Sequence, residues 1–204
     1  MRLSLLVATQ NGEKVRRISE LLADCDLEIF GSSALGPVPI TEEDGLSHLA
    51  NAVEKAVCWS RSHSTLTVGS DGGLRIPALG MDWNSLLTRR ATGIDVSAEE
   101  RANRLLKRMH GLDRDQRRCY WTEALALAKG GTVLSAWEAS GMEGFISTDF
   151  VPSPSGTDEF WVEGLWVTSD GRRQWELPPS ERSTRDDPWE TLARPLREIL
   201  TLLR

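Results

Sequence analysis

Two hydrophobic periods alternate along the first third of the chain. Short apolar runs typical of buried strands are separated by segments whose apolar residues, such as Val15, Ile18 and Leu22, recur at helical spacing. This order of strands and helices predicts an α/β layer. The predicted elements in chain order are a strand at 3–8, a helix at 13–23, a strand at 27–30, a helix at about 47–62 with Ser47 as its N-cap, and a strand at 65–73 that ends in a glycine turn.

A capping box and a hairpin organise the middle of the chain. The residues S-A-E-E at 97–100 predict the start of a helix, and Gly111 is a suitable end for it. Periodicity leaves residues 123–128, E-A-L-A-L-A, open between helix and strand. The glycine pair that follows, and the β-branched and aromatic residues after it, favour a hairpin with strands at 119–128 and 132–141.

The last quarter of the chain adds a strand and a helix. Residues 160–168, F-W-V-E-G-L-W-V-T, predict a strand, and the chain ends in an amphipathic helix. Because Pro195 costs about 3 kcal/mol inside a helix, the regular part of that helix is predicted to begin near Arg194. The complete pattern predicts a central, twisted, mixed sheet flanked by helices on both faces, with a smaller lobe.

Charge and cysteine usage exclude several classes of function. The 204 residues carry a net charge of -6, which argues against a surface for nucleic acid polymers, so an anionic ligand needs a local cluster or a metal. Cys25, Cys58 and Cys119 are far apart and odd in number, which favours a reducing, cytoplasmic location over a disulfide framework or a zinc site. No apolar stretch has the length of a membrane span or of a signal peptide core, so we expect no membrane partner.

The junction after the first strand, A-T-Q-N-G-E-K at 8–14, has the composition of an anion site. A helix N-terminus offers free backbone N–H groups and a partial positive charge. Thr9 and Asn11 add side-chain donors there, and Lys14 adds a mobile cation. The simpler interpretation, which these residues alone favour, is that Asn11 caps the helix and Lys14 is a solvated surface residue.

Two acidic segments add carboxylates. Asp71 ends a buried strand in S-D-G-G at 70–73, at the edge where α/β sheets bind ligands, and T-E-E-D at 41–44 precedes the second helix. Taken singly, these segments are an Asp-Gly turn and a charged loop. Because Mg²⁺ is typically held by one or two carboxylates and substrate phosphates, the two segments and the 8–14 junction together indicate a phosphate-plus-metal site.

Several segments resemble the inosine-triphosphate pyrophosphatase family, which hydrolyses deaminated purine nucleoside triphosphates to the monophosphate and pyrophosphate. A-T-Q-N-G-E-K matches that family's A-T-x-N-x-x-K opening, and residues 42–56, E-E-D-G-L-S-H-L-A-N-A-V-E-K-A, are similar to its E-x-G-x-T-F-x-E-N-A-x-x-K-A segment. Residues 68–80, V-G-S-D-G-G-L-R-I-P-A-L-G, look like its A-D-D-S-G-L-x-V-x-A-L-G-G segment, and T-R-R-A-T-G at 88–93 is similar to its S-A-R-Y-A-G. The resemblance covers roughly residues 1–148.

The resemblance implies an architecture and a chemistry. The chain would form two lobes with a cleft between them, approximately 1–85 plus 185–204 and 86–184, and would be a homodimer that acts on a nucleotide. Mg²⁺ would be held by Glu42 and Asp71. Lys14 and Asp71 would be catalytic, with Asp71 as metal ligand or as the base that activates water for attack on the α-phosphorus. The substrate-binding residues implied are Thr9, Asn11, Lys14, Gly72, Arg90, Phe160, Glu163 and Arg182.

Departures from the family pattern occur in both halves of the chain. The first Asp of the family's A-D-D-S-G-L is Ser70 here, its Ser is Gly72, and the Glu of its E-N-A is Ala50. Two acidic positions near the expected metal are therefore lost, while the phosphate-handling residues are mostly kept.

The C-terminal departures are larger. The family's F-G-x-D-P segment is F-W-V-E-G, with Phe160 kept and Glu163 in place of the Asp. Arg182 stands where E-K-N has Lys, and the S-H-R motif before the last helix is missing. Because these family residues read the purine base, we expect relaxed or redirected base specificity.

Three functions remain open at this point. The first is a Mg²⁺-dependent nucleoside triphosphate pyrophosphatase with altered base preference. The second is a degenerate, non-catalytic nucleotide-binding protein on the same fold, and the third is a phosphatase for a smaller phosphorylated metabolite. Trp161, Trp166 and Trp175 could stack on a base, but core or dimer interface is favoured for them. His48 is interpreted as a helix-surface or packing residue.

Overall fold

The fold is described from a computed structural model of the chain. The described residues are 2–35, 39, 41, 45–88, 92–93, 95–154, 158–182 and 186–203, with the backbone alone for Ser33, Asp158, Glu159, Phe160, Pro179 and Arg182.

A six-stranded mixed sheet forms the centre of the fold, in the strand order β2-β1-β3-β4-β5-β6. The first strand pairs in parallel with the second and third, whereas the fifth and sixth pair antiparallel. This confirms the predicted α/β class with a mixed sheet. The strands are β1 (Leu3–Ala8), β2 (Leu27–Phe30), β3 (Leu66–Arg75), β4 (Arg118–Lys129), β5 (Thr132–Ile146) and β6 (Trp166–Val167).

Helices begin where the sequence places capping residues. Ser47 and Ser97 accept hydrogen bonds from the backbone N–H groups of Ala50 and Glu100, which confirms both predicted N-caps. The predicted hairpin is also confirmed, because β4 and β5 flank the glycine pair at 130–131. The helices are α1 (Gly12–Leu21), α2 (His48–His63), α3 (Ala98–Arg108), α4 (Pro179–Arg182) and α5 (Pro188–Leu202).

The predicted glycine turn after Asp71 is wrong, because β3 continues through both glycines to Arg75. A Cβ at Gly72 would lie only 2.9 Å from the carbonyl oxygen of Thr122 on β4. The glycine therefore serves the close approach of two strands and not a change of chain direction.

The predicted strand at 160–168 is mostly wrong. Its first part is a 3-10 helix, Asp158–Leu165, and only Trp166–Val167 pairs with β5. The consecutive residues Trp161 and Val162 are both buried, in a segment that packs against α3. An alternating strand could not bury two successive side chains on one face.

The predicted start of the last helix near Arg194 is also wrong. The helix begins at Pro188, capped by Asp187, and Pro195 lies inside it. Burial of an apolar side chain contributes about 1.5–3 kcal/mol. The buried Leu192, Leu196 and Leu200 therefore offset the cost of roughly 3 kcal/mol for an internal proline.

Contacts divide the chain into two compact units. Unit 1 comprises Met1–Gly72, Thr122–Ser140 and Asp187–Arg204, and unit 2 comprises Gly73–Trp121 and Gly141–Asp186. The two lobes and the cleft that the resemblance implies stay a prediction. Among the described residues, no helix combines the length and the apolar character that a bilayer crossing requires.

Unit 1 has a core on each face of its part of the sheet. Because side chains alternate along a strand, odd and even positions of β4 contribute to different cores. The α1/α5 face is covered by α1 and α5, which pack on Leu5 and Val7 of β1, Leu66 and Val68 of β3, and Leu125 and Leu127 of β4. The α2 face is covered by α2, which packs on Leu6 and Ala8 of β1 and on Ala124, Ala126 and Ala128 of β4.

Unit 2 has its own core between α3, the 3-10 helix at 158–165 and the ends of the strands. Its largest members include Leu105, Met109 and Trp166. Trp161 and Trp166 are each 3% exposed, so the core interpretation is confirmed for these two tryptophans.

Candidate active site

Asp71 lies where β3 extends past the end of β1. The last pair of the two strands is Ala8 with Gly69, so Asp71 is two residues beyond it, where the chain from β1 has turned at Thr9 toward α1. Strand alternation places its side chain on the α2 face, as it does for Gly69, where a Cβ would meet the backbone of Ala52 and Ala56.

Three side chains of α2 surround the Asp71 carboxylate. Lys55 Nζ donates to Oδ1 at 3.0 Å, Asn51 Nδ2 donates to Oδ2 at 3.2 Å, and His48 Nδ1 lies 2.7 Å from Oδ2. Positions 48, 51 and 55 are separated by three and four residues, which puts them on one face of the helix. His48 and Asn51 are buried, and Asn51 Oδ1 also accepts from the Gly45 N–H at 2.8 Å, which orients its amide.

The charge of Asp71 is set by two opposing effects. Burial alone would raise the pKa of this carboxyl, but the hydrogen bond from His48 and the nearby charges of Lys55 and Lys14 lower the pKa to about 2. Asp71 is therefore ionised at neutral pH. Such a carboxylate is well suited to orient water or to hold a cation, and it is a weak proton acceptor.

The β1–α1 junction forms the capped helix start that the simpler interpretation predicts. Asn11 Oδ1 accepts from the Lys14 N–H at 3.1 Å, and Thr9 Oγ1 accepts from the Asn11 N–H at 3.1 Å. Lys14, however, is not a solvated surface residue. Its Nζ is 3.5 Å from Glu123 Oε1 and 6.0 Å from the centre of the Trp189 ring, and its side chain is 23% exposed.

Glu123 and Gly72 occupy adjacent strands on the α1/α5 face. Glu123 is completely buried, and its parity along β4 is that of Leu125 and Leu127. A Cβ at Gly72 would overlap the Glu123 carboxylate, since it would lie 2.7 Å from Cδ. Ser70 shares this face with Gly72, and its buried hydroxyl has no hydrogen-bond partner among the described residues.

The structure brings five of the predicted site residues into one region of unit 1: Thr9, Asn11, Lys14, Asp71 and Gly72. Glu42 and Arg90 lie outside the described residues, as do the side chains of Phe160 and Arg182. Glu163 is half-buried in the 3-10 helix of unit 2. The predicted roles of all these residues stay predictions.

The sequence analysis did not select four residues of the site: His48, Asn51, Lys55 and Glu123. Asn51 and Lys55 could have been recognised as site residues from the sequence. They match the Asn and the Lys of the E-N-A-x-x-K-A segment, and they lie four residues apart. His48, interpreted as a surface or packing residue, is a buried partner of Asp71 at the position of that segment's Phe. No sequence motif pointed to Glu123. It lies in a largely hydrophobic segment, and its neighbour on the adjacent strand is the glycine at position 72.

The described residues fit a magnesium ion held mainly by phosphates. They contain no group of three or more His, Cys, Asp or Glu side chains placed to hold a metal. Asp71 offers one ionised carboxylate, and among the described residues Lys55 alone donates to Oδ1, which leaves lone-pair capacity on that oxygen. One protein carboxylate together with substrate phosphates satisfies Mg²⁺, and the second predicted ligand, Glu42, is not described.

Unit 2 contains a cavity of about 650 Å³. Tyr120, Phe145 and Arg172 are among its lining residues, and the Arg114 and Arg118 guanidinium groups stack near the Phe145 ring at 5.1 and 5.8 Å. The lining mixes aromatic rings with charges of both signs. Asp71 and its α2 partners His48, Asn51 and Lys55 are not among its lining residues.

Comparison with known proteins gives consistent matches along the chain. The model of the Ham1 family matches residues 5–186. A dITP/XTP pyrophosphatase of Symbiobacterium thermophilum is 29% identical over 200 residues, covering 98% of this chain and 96% of that protein. The dITP/XTP pyrophosphatase of Escherichia coli K12 is 28% identical over 181 residues, covering 88% and 89% of the two chains. The HAM1 protein of Coxiella burnetii has the same fold, with a TM-score of 0.79 at 24% identity over 98% of both chains.

Proposed function

The chain belongs to the Ham1 family, and we propose that it is a metal-dependent nucleoside triphosphate pyrophosphohydrolase that releases pyrophosphate and a nucleoside monophosphate. The relatives that match over most of their length are named dITP/XTP pyrophosphatases. The observation that carries the proposal is the ionised Asp71, held by three side chains of α2 beside a capped helix start and Lys14.

The phosphate chain binds at the start of α1. The first-turn N–H groups of this ten-residue helix and its partial positive charge favour an anion, and Lys14 projects from the same turn. Phosphoryl transfer relies chiefly on positioning and on stabilising charge. The cap formed by Asn11 and Thr9 fixes the geometry of the loop before any ligand arrives.

Asp71 orients the attacking water. The water oxygen attacks the α-phosphorus, the bond from that phosphorus to the bridging oxygen breaks, and pyrophosphate leaves with that oxygen. The proton released by the water goes to solvent, because a carboxyl with a pKa of about 2 is a weak proton acceptor at neutral pH. Lys55 and His48 keep the carboxylate charged and fixed during this step.

Asp71 and Glu42 are the residues that would hold Mg²⁺. The ion, when bound, would neutralise phosphate charge and polarise the phosphoryl oxygens.

We also propose that base preference differs from that for deaminated purines. The support is the rewritten segment around Phe160 and Glu163, Arg182 in place of Lys, and the missing S-H-R motif. A site that loses hydrogen bonds to a base edge loses discrimination between bases. The homodimer and the cytoplasmic location remain proposals that rest on the resemblance and on cysteine usage.

A nucleotide panel tests the proposal. Purified protein is incubated with Mg²⁺ and with natural, deaminated and modified nucleoside triphosphates, and pyrophosphate and orthophosphate are measured separately. We expect pyrophosphate from at least one nucleotide, with loss of activity on addition of EDTA and in D71N. Folded wild-type protein that releases no pyrophosphate from any of them contradicts the proposal, and orthophosphate alone identifies a phosphatase.

The second candidate is a non-catalytic nucleotide-binding protein. It is favoured by the loss of acids at Ala50 and Ser70 and by the three donors that already occupy Asp71. Binding of a nucleotide, measured by calorimetry, without turnover would support it. Turnover that D71N abolishes would exclude it.

A further inference from the structure

On the α1/α5 face, this chain has a buried acid on β4 and a serine at the β3 position where the family segment has an acid. The family segment has Asp at the position of Ser70 on β3, and this chain has a serine there whose buried hydroxyl lacks a described partner. On the same face, the neighbouring strand β4 carries Glu123, which is fully buried. Ser70 and Gly72 are two residues apart, about 6–7 Å along the strand, so the two positions are neighbours on this face.

Gly72 is the residue that makes room for Glu123. The family segment has Ser at this position, and a Cβ here would overlap the Glu123 carboxylate. The carboxylate therefore occupies the space that a side chain at position 72 would fill. The buried acid on β4 therefore explains the glycine at position 72.

Lys14 forms an ion pair with this acid, since its Nζ lies 3.5 Å from Glu123 Oε1. Burying a carboxylate costs several kcal/mol unless it is paired, and the ion pair with Lys14 offsets part of that cost. The Lys14 side chain is 23% exposed, and it projects from the first turn of α1, where an anion is expected to bind. The buried acid thus limits where Lys14 can go.

We propose that Glu123 supplies from β4 the carboxylate that the family segment carries on β3 at the position of Ser70, and that it positions Lys14 for the triphosphate. Glu123 is a positioning residue that acts through Lys14. The inference rests on the proposed function, which its kinetic test requires. A second test measures phosphate binding and does not require turnover.

The test removes the carboxylate at position 123 on β4 and introduces one at position 70 on β3. Variants E123Q, E123A, S70D and S70D/E123A are compared with wild type for pyrophosphate release. We expect E123A to lower kcat/KM by about tenfold, the effect of losing one charge-assisted hydrogen bond, mainly through KM because Lys14 holds the triphosphate before and during reaction. E123Q should lose less, and S70D/E123A should recover most of the wild-type value.

Two outcomes overturn the proposal. The first is E123A within twofold of wild type, and the second is S70D/E123A no more active than E123A. E20Q is the matched control, because Glu20 is an exposed α1 glutamate paired with Arg16 and should leave kcat/KM unchanged. Thermal unfolding confirms that each variant is folded, and E123Q, which keeps the volume of the side chain, replaces E123A if that variant is unfolded.

Calorimetric binding of inorganic tripolyphosphate separates this proposal from the proposed function. If wild type binds tripolyphosphate but hydrolyses no nucleotide, the function fails and the same variant order in affinity still supports the role of Glu123. If wild type is active and affinity is unchanged in E123A, the function stands and the inference fails.

The role of Gly72 is tested by stability alone. G72A should lower the unfolding midpoint by several degrees in wild type and by clearly less in the E123A background, because the overlap with the carboxylate is then gone. Some loss should remain, since the Thr122 carbonyl oxygen is also close. Equal losses in the two backgrounds contradict the steric link between Gly72 and Glu123.

Discussion

The two faces of the sheet around residues 70–72 hold their buried carboxylates differently. On the α2 face, Asp71 has donors or ring nitrogens at 2.7, 3.0 and 3.2 Å from three residues of one helix. On the α1/α5 face, Glu123 has a described ion pair of 3.5 Å with a lysine that is partly exposed. The first arrangement fixes an anion in place, whereas the second holds a partly exposed cation near the start of α1.

We interpret this difference as two tasks in the proposed phosphoryl transfer. A group that orients water must be held rigidly, because small displacements of a reacting group reduce the rate strongly. A cation that binds the phosphate chain must be able to contact it, so its side chain must remain partly accessible. On the α2 face, Asn51, Lys55 and Asp71 match the residues of the family segments. On the other face, Ser70 and Gly72 stand where the family segment has Asp and Ser.

The largest expected effect comes from removing the charge of Asp71. D71N keeps the shape of the side chain but removes the anion that orients water, so we expect pyrophosphate release to fall by about 10²- to 10⁴-fold. E123Q, the matching change on the other face, should cost far less. Measured kcat/KM values for the two variants with one nucleotide test this, and equal losses would mean that both faces serve the same task.

The next effect is on stability and concerns Lys55. K55M leaves the buried Asp71 carboxylate without its closest cation, and breaking a buried pair by removing one partner costs about 3 kcal/mol. Urea unfolding measures the loss. K107M, a matched change at an exposed lysine of α3, should alter the unfolding free energy little. A small loss in K55M would show that the α2 face is no tighter than the other.

Acid titration gives a somewhat smaller effect of the same origin. The pKa of Asp71 is lowered from 3.8 to about 2, so the carboxylate contributes stability above its unfolded value, and this contribution is lost as pH falls toward 2. The difference corresponds to about 2 kcal/mol. Unfolding free energies of wild type and D71N between pH 5 and pH 2 test this. The two curves should approach each other at the acid end, and parallel curves would contradict the assignment.

Much of unit 1 could be predicted from sequence, because local signals agree with the packing there. The strand at 3–8 and the Ser47 cap were placed correctly since a continuous apolar run and an N-cap residue act locally. Thr9, Asn11, Lys14 and Asp71 were selected from motif spacing, and parallel strands bring such spacings together at one edge.

The errors have a common physical cause, which is contact between residues distant in sequence. Gly72 indicated a turn, but it lies on β3 next to Glu123 of the adjacent strand β4, which is 51 positions away in the sequence. Pro195 indicated a helix boundary, but the leucines around it are buried against residues of β1, β3 and β4, and this burial outweighs the lost hydrogen bond. Glu123 lies in a largely hydrophobic strand. Its role depends on its neighbour Gly72 on the adjacent strand, and hydrophobic periodicity does not show which residues are neighbours across a sheet.

The smallest expected effect concerns His48, the residue of the α2 face that departs from the family segment. H48F restores the family's Phe and removes one of the three contacts to Asp71, so we expect a loss of about 1 kcal/mol in unfolding free energy and a fall of a few-fold in kcat with KM unchanged. H48N is the control, because its amide can donate near the place of Nδ1 and should retain part of kcat. If H48F and H48N lose equally, His48 acts through packing, and Asn51 and Lys55 alone account for the tight hold on Asp71.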